Sequence, residues 1–111
     1  MATPAKAAEA PEHPWLSGKD RPVILGAGEL CSRKDFATLM RAFARVRAAM
    51  PARLIILGEG RQRERLLALA SELGVADDVS LPGFVGNPYA FMARADVFAL
   101  TSRWGGFGNV L

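Results

Sequence analysis

The 111 residues contain one cysteine, Cys31, and one histidine, His13. A lone thiol excludes an internal disulfide and leaves no set of thiols at zinc-ligand spacing, so no metal site is expected. No histidine lies near Cys31 in sequence to serve as its base, and the cysteine reads as a half-buried spectator. His13 falls in a stretch rich in proline and alanine and reads as a solvated tail residue, not a ligand. Also missing is any uninterrupted apolar run near the roughly 18 residues that a membrane span requires. Residues 1–19 lack the apolar centre of a secretory signal. These absences lead to the expectation of a soluble, cytosolic protein.

What is present suits one small domain with a real core, because half of the residues are hydrophobic and domains commonly run from about 50 to 250 residues. The formal charge of +3 invites a nucleic-acid partner. The arginines argue against it: Arg41, Arg45 and Arg47 fall in one helical stretch and Arg61, Arg63 and Arg65 in another, among alanines and glutamates. Such arginines form a solvated helix face.

Residues 1–21 carry Pro4, Pro11 and Pro14 with no apolar period and are expected to be a flexible lead or linker. The folded part is expected over residues 22–111. Residues 23–25 form a short apolar run ended by Gly26 and Gly28, which suits a strand buried on both faces. Ser32 with Asp35 three residues later matches a capping box, and Phe36, Leu39, Met40, Phe43, Val46 and Met50 then recur at helical spacing up to Pro51.

The pattern repeats. Residues 53–57 read as a second strand, Gly58-Glu59-Gly60 as its turn, and Leu66, Leu69, Ala70 and Leu73 as a second helix that Gly74 can end. Residues 79–81 suit a third strand; Asn87 and Pro88 suit the cap and first position of a third helix; residues 97–100 suit a fourth strand. Alternating strand and helix predicts an α/β fold, a Rossmann-like doubly wound parallel sheet. In such sheets ligands bind beyond the carboxyl ends of the strands. A helix starting near Ser32 would offer free N–H groups to phosphate, with Lys34 adding a charge. Taken alone, a Gly-x-Gly turn is equally well a tight turn, since Cys31 stands where the dinucleotide pattern has its third glycine.

Three stretches, "GAGELCSRKDFATLMRAFARVR", "ARLIILGEGRQRERLLALASELGV" and "VSLPGFVGNPYAFMARADVFALTSRWGGFGNVL", carry four motifs in order over residues 22–111. Together they resemble the C-terminal, nucleotide-sugar-binding domain of the group 1, retaining glycosyltransferases of the GT-B fold, of which the chain would be the first part. The third is similar to transferases of bacterial polysaccharides and cell-surface glycans. The resemblance implies transfer of a sugar from a nucleoside diphosphate sugar to an acceptor hydroxyl with retention, and no cofactor or metal. It also implies an N-terminal acceptor-binding domain as partner and a cytoplasmic place, with the parent open to a peripheral position on the inner face of the membrane. Gly28 matches the glycine before the phosphate loop and Lys34 the diphosphate lysine. Phe84 and Val85 match the segment beside the nucleotide base, although Phe84 taken alone reads as core or half-core. Gly106, Phe107, Gly108 and Asn109 match the loop facing the donor's phosphates and sugar.

The chain departs from that family at two places. Glu29 stands where many relatives have arginine and would repel a diphosphate. Gly105 stands where the first of two glutamates, seven residues apart, is expected, and the second would fall beyond Leu111. No catalytic residue is assigned, and the isolated chain is expected to be inactive, with an uncovered sheet face that promotes self-association. The alternative is a non-catalytic nucleotide- or protein-binding module on the same scaffold. A nicotinamide-dependent dehydrogenase fits poorly, because Glu59 lies too far along its turn for the acidic residue that should close the second strand.

Overall fold

Apolar runs that end in glycine become the strands, and the periodic stretches become the helices, over residues 13–17 and 20–99, which the computed structural model describes. In chain order these are α1 (Pro14–Ser17), β1 (Val23–Ala27), a 3-10 turn (Ser32–Lys34), α2 (Phe36–Ala49), β2 (Arg53–Leu57) and α3 (Arg63–Glu72). A second 3-10 turn (Ala76–Asp78), β3 (Val79–Gly83), α4 (Pro88–Arg94) and β4 (Val97–Phe98) follow. All four strands join one parallel sheet in the order β3-β2-β1-β4. The chain moves outward from β1 to β3 and then crosses back to set β4 on the far side of β1, the doubly wound topology expected from the sequence.

Each face of the sheet has its own apolar layer. Leu54 and Ile56 of β2 pack with Phe36, Leu39, Met40 and Phe43 of α2 and with Leu66 and Ala70 of α3. Ile55 and Leu57, together with Val23 and Leu25 of β1, turn to the opposite face and meet Phe91 of α4 and Leu16 of α1. Every residue of β2 after Arg53 is therefore buried, which is why the run reads as continuously apolar instead of alternating. Each such side chain contributes on the order of 1.5–3 kcal/mol by leaving water.

The outer strand, β3, is two residues longer than expected and includes Pro82. Its register against β2 runs Ile55↔Ser80 and then Leu57↔Gly83, so one extra residue of β3 is accommodated where proline can donate no ladder bond. At the other side β4 is brief: Val97 and Phe98 pair with Ile24 and Leu25, and Leu100 lies outside the described residues.

At the amino ends of the strands, Asp78 gathers three guanidinium groups. Arg47 Nε donates to its Oδ2 at 2.8 Å, while Arg21 and Arg53 approach Oδ1 at 3.5 and 3.6 Å. Arg47 is thus tied down, whereas Arg41 and Arg45 form the solvated face anticipated from their spacing.

The opening segment departs from expectation. Residues 13–17 pack on the domain: Leu16 is 3 % exposed, Trp15 lies 4.8 Å from the Arg53 guanidinium, and the Trp15 ring meets His13 at 5.1 Å. His13 is no solvated tail residue, because its Nε2 bonds Ser80 Oγ at 3.0 Å and its ring meets Phe91 edge-on at 6.2 Å. Proline and alanine hid this contact, since one short turn has no readable period.

The first long helix also starts later than the capping box suggests. Ser32 is exposed and opens a 3-10 turn, Asp35 adopts φ 54°, and α2 begins at Phe36. The aspartate side chain is too short to reach back as a glutamate would; it accepts instead from Thr38 Oγ1 at 3.0 Å.

Two outcomes are expected. Burial first, and the nearby Arg53 cation second, hold the His13 pKa below its ordinary 6.5. The unfolded chain then takes up the proton before the folded one does, so stability falls as pH drops below about 6.5 and levels off below the folded-state value. His13→Gln should flatten that dependence in urea titrations between pH 5 and 8. Gly58 has φ 133°, and a Cβ there would collide with the Gly28 carbonyl. Gly58→Ala should cost at least about 1–3 kcal/mol from the dihedral alone. Gly86→Ala, which meets nothing within 4 Å, should change stability by under about 0.5 kcal/mol in the same denaturation experiment.

Candidate functional site

Beyond the carboxyl ends of β1, β2 and β3, three loops are stitched together by backbone hydrogen bonds that continue the sheet ladder. Gly28 N–H donates to Leu57 O at 3.0 Å, Gly58 N–H to Gly83 O at 3.0 Å, and Leu30 N–H to Glu59 O at 2.9 Å. Gln62 N–H then donates to Leu30 O at 2.9 Å. A side chain at position 58 would have no room, so glycine allows the β1 and β2 loops to touch backbone to backbone.

The loops enclose an open cleft of about 640 Å³. Ala27, Leu57, Val85 and Pro88 give it an apolar lining, Gly28, Gly58 and Gly60 expose backbone, and Glu29 and Glu59 supply carboxylates. The cleft therefore offers apolar surface and hydrogen-bond acceptors, with no cationic side chain among the described residues that line it.

Three of the residues singled out in the sequence, Gly28, Phe84 and Val85, converge on this cleft. Phe84 is 82 % exposed, not core or half-core. It follows directly after Gly83, whose φ of 92° turns the chain out of the sheet and carries the ring to the rim. Lys34 does not line the cleft but borders it: a Cβ on Gly28 would lie 3.6 Å from Lys34 Cε. Gly106, Phe107, Gly108 and Asn109 lie outside the described residues.

The helix start that was to offer N–H groups near Ser32 is displaced. Within the 3-10 turn, Lys34 N–H and Asp35 N–H are taken by Cys31 O and Ser32 O at 3.1 Å each. The positive end of α2 is met by the Asp35 carboxylate, one residue before Phe36. Lys34 remains beside the first loop. Cys31 is half-buried and not disulfide-bonded.

Glu59 and Pro88 line the cleft although the sequence assigns neither to it: Glu59 reads there as a turn residue ill placed for a dehydrogenase site, and Pro88 as a helix start. Glu59 Oε1 lies 3.5 Å from Arg63 NH1, and Arg63 NH2 donates to Leu81 O at 2.6 Å. The other carboxylate oxygen, Oε2, stands 2.5 Å from where a Cβ on Gly83 would be. The signal was there as a glutamate between two glycines followed four residues on by arginine, "GEGRQR".

Among the described residues, no helix is long and apolar enough to cross a membrane, and no group of three His, Cys, Asp or Glu could hold a metal ion.

Comparison with known proteins places these features in a family. The model of the glycosyl transferases group 1 matches residues 9–111. A Campylobacter jejuni protein named N-acetylgalactosamine-N,N'-diacetylbacillosaminyl-diphospho-undecaprenol 4-alpha-N-acetylgalactosaminyltransferase is 46% identical over 79% of this chain and 24% of its own. The lipopolysaccharide core biosynthesis glycosyltransferase LpsE of Rhizobium meliloti is 37% identical over 83% of this chain and 26% of its own. The chain thus spans about a quarter of the length of these curated relatives. Among solved structures, the apo lipopolysaccharide outer core galactosyltransferase WaaB superposes with a TM-score of 0.66 at 27% identity, over 89% of this chain and 28% of that one. Anabaena HepE, crystallised with UDP and glucose, superposes with a TM-score of 0.70 at 21% identity, over 91% of this chain and 28% of that one. The sheet with its flanking helices is accordingly part of a GT-B domain. With the family model covering nearly all of its length and the carboxyl-edge cleft built from its glycine loops, the chain belongs to the group 1 glycosyltransferases.

Proposed function

We propose that this chain is the donor-binding part of a glycosyltransferase. The whole enzyme moves a sugar from a nucleoside diphosphate sugar to an acceptor hydroxyl, with retention at the anomeric carbon, in the synthesis of a bacterial cell-surface glycan. The observation that carries the reading is the cleft at the carboxyl ends of β1, β2 and β3, on which Gly28, Phe84 and Val85 converge. The names borne by the Campylobacter and Rhizobium relatives support the class of product.

In this reading the nucleotide base lies in the cleft beside Phe84 and Val85, and the diphosphate passes over Gly28 toward Lys34. Departure of the diphosphate gathers negative charge on its oxygens. A cation already fixed at that place stabilises the departing group without reorganising. Gly106, Phe107, Gly108 and Asn109, by their resemblance to the family's loop, would complete the grip on phosphates and sugar. An acceptor-binding domain N-terminal to this one closes the cleft, excludes water and orients the attacking hydroxyl. The reaction takes place on the cytoplasmic side of the membrane in this scheme.

The 111 residues alone transfer no sugar in this account, since they represent about a quarter of their relatives' length and carry Gly105 where the first glutamate is expected. A coupled nucleotide-release assay on the purified chain should read the buffer rate; turnover above it would refute the point. Calorimetric titration with nucleoside diphosphates should give saturable binding, weakened about tenfold by Lys34→Ala, the worth of one hydrogen bond to a charged group. No saturable binding by any nucleotide would overturn the donor-site reading and favour a module that kept only the scaffold.

A further inference from the structure

The cleft is selective in its chemistry, and Glu59 sets that selectivity. We propose that the Glu59 carboxylate reads the nucleobase and makes this a site for a guanine nucleotide; the inference rests on the donor-site reading above.

Three observations carry it. First, the cleft suits a flat, uncharged group: its lining is apolar and its charged side chains are carboxylates, whereas the cation suited to phosphate, Lys34, stands outside beside Gly28. Secondly, Glu59, although half exposed, has a cation beside it. Arg63 is anchored by its bond to Leu81 O at 2.6 Å and holds Glu59 Oε1 at 3.5 Å, while Gly83 leaves open the space that Oε2 approaches. The cation offsets part of the cost of bringing the carboxylate against a ligand. Thirdly, Phe84 is 82 % exposed at the rim, next to Gly83. An aromatic face there can stack on any base and so supplies affinity without choosing among bases.

The choice falls to Glu59. An ionised carboxylate only accepts hydrogen bonds, through two oxygens side by side. Guanine alone among the common bases presents two adjacent donors on its pairing edge, the N1–H and the N2 amino group. Uracil presents a single N–H between two carbonyl oxygens, which a carboxylate repels. Adenine and cytosine each set an amino donor beside a bare ring nitrogen acceptor. A site built to accept two hydrogen bonds leaves a partner group unpaired with any of these, and discrimination follows from that unpaired group. Arg63 is a positioning residue in this scheme, since it acts through Glu59.

The test is titration of the full chain with GDP, UDP, ADP and CDP, repeated on Glu59→Gln and Glu29→Gln. GDP should bind at least about tenfold tighter than the other three, since each of those can give the carboxylate at most one charge-assisted hydrogen bond and sets an acceptor beside it. Glu59→Gln, nearly isosteric and half exposed, should fold as the parent does by circular dichroism, weaken GDP and strengthen UDP, whose carbonyls no longer meet a carboxylate, and so reduce the GDP advantage to within about threefold. Glu29→Gln should keep the GDP preference. Preference for UDP, ADP or CDP, or a GDP preference that survives Glu59→Gln, would overturn the inference while leaving the donor site standing. Failure of all four nucleotides to saturate the chain would overturn the donor site and this inference with it.

Discussion

The approach of one backbone to another at Gly58 and Gly28 is the constraint on which the rest of the site depends. A Cβ at position 58 would occupy the Gly28 carbonyl, so the two loops can lie at hydrogen-bonding distance only while glycine stands there. From that contact follow the bonds from Gly28 to Leu57 and from Gly58 to Gly83, which extend the ladder past the last strand residues. Loops usually carry the conformational freedom of a domain. Here the three loops are fastened to one another, so the cleft walls inherit the rigidity of the sheet. A ligand meets an edge already formed, with its ordering entropy spent in folding.

Charge is divided between the two ends of the strands. At the amino ends, Arg21, Arg47 and Arg53 surround Asp78, and Arg53 also stacks beside Trp15. At the carboxyl ends, Glu29 and Glu59 face the cleft and Lys34 stands by its first loop. The formal charge of +3 therefore describes no single basic surface. Several of the arginines are occupied in holding the fold, and the edge proposed to receive the donor carries carboxylates.

The strands were legible because each is a short apolar run stopped by glycine or followed by a helical period, and burial on both faces removes the need for alternation. The helices of the first face were legible for the same reason: Phe36, Leu39, Met40 and Phe43 all reach the core. What stayed hidden depends on single contacts across long separations in sequence. His13 bonds Ser80, 67 residues away, and no local pattern announces that. Asp35 adopts φ 54° with its carboxylate accepting from Thr38, and α2 starts only after it, a local choice that the spacing of Ser32 and Asp35 does not reveal. At the site, Gly28 and Val85 were readable from glycine turns and family resemblance, while the exposure of Phe84 and the posture of Glu59 come from the turn at Gly83, whose φ only the folded chain displays.

Pro82 in the outermost strand has a further consequence. A strand at the border of a sheet is a template for any extended chain that drifts against it, but β3 lacks an N–H at Pro82 and has a shifted register just before Gly83. Pairing in line along that border is interrupted halfway. β4, at the opposite border among the described residues, pairs with β1. The sheet therefore has a direction of growth: another strand, whether from the same polypeptide or a neighbour, is accommodated beside β4 and refused beside β3.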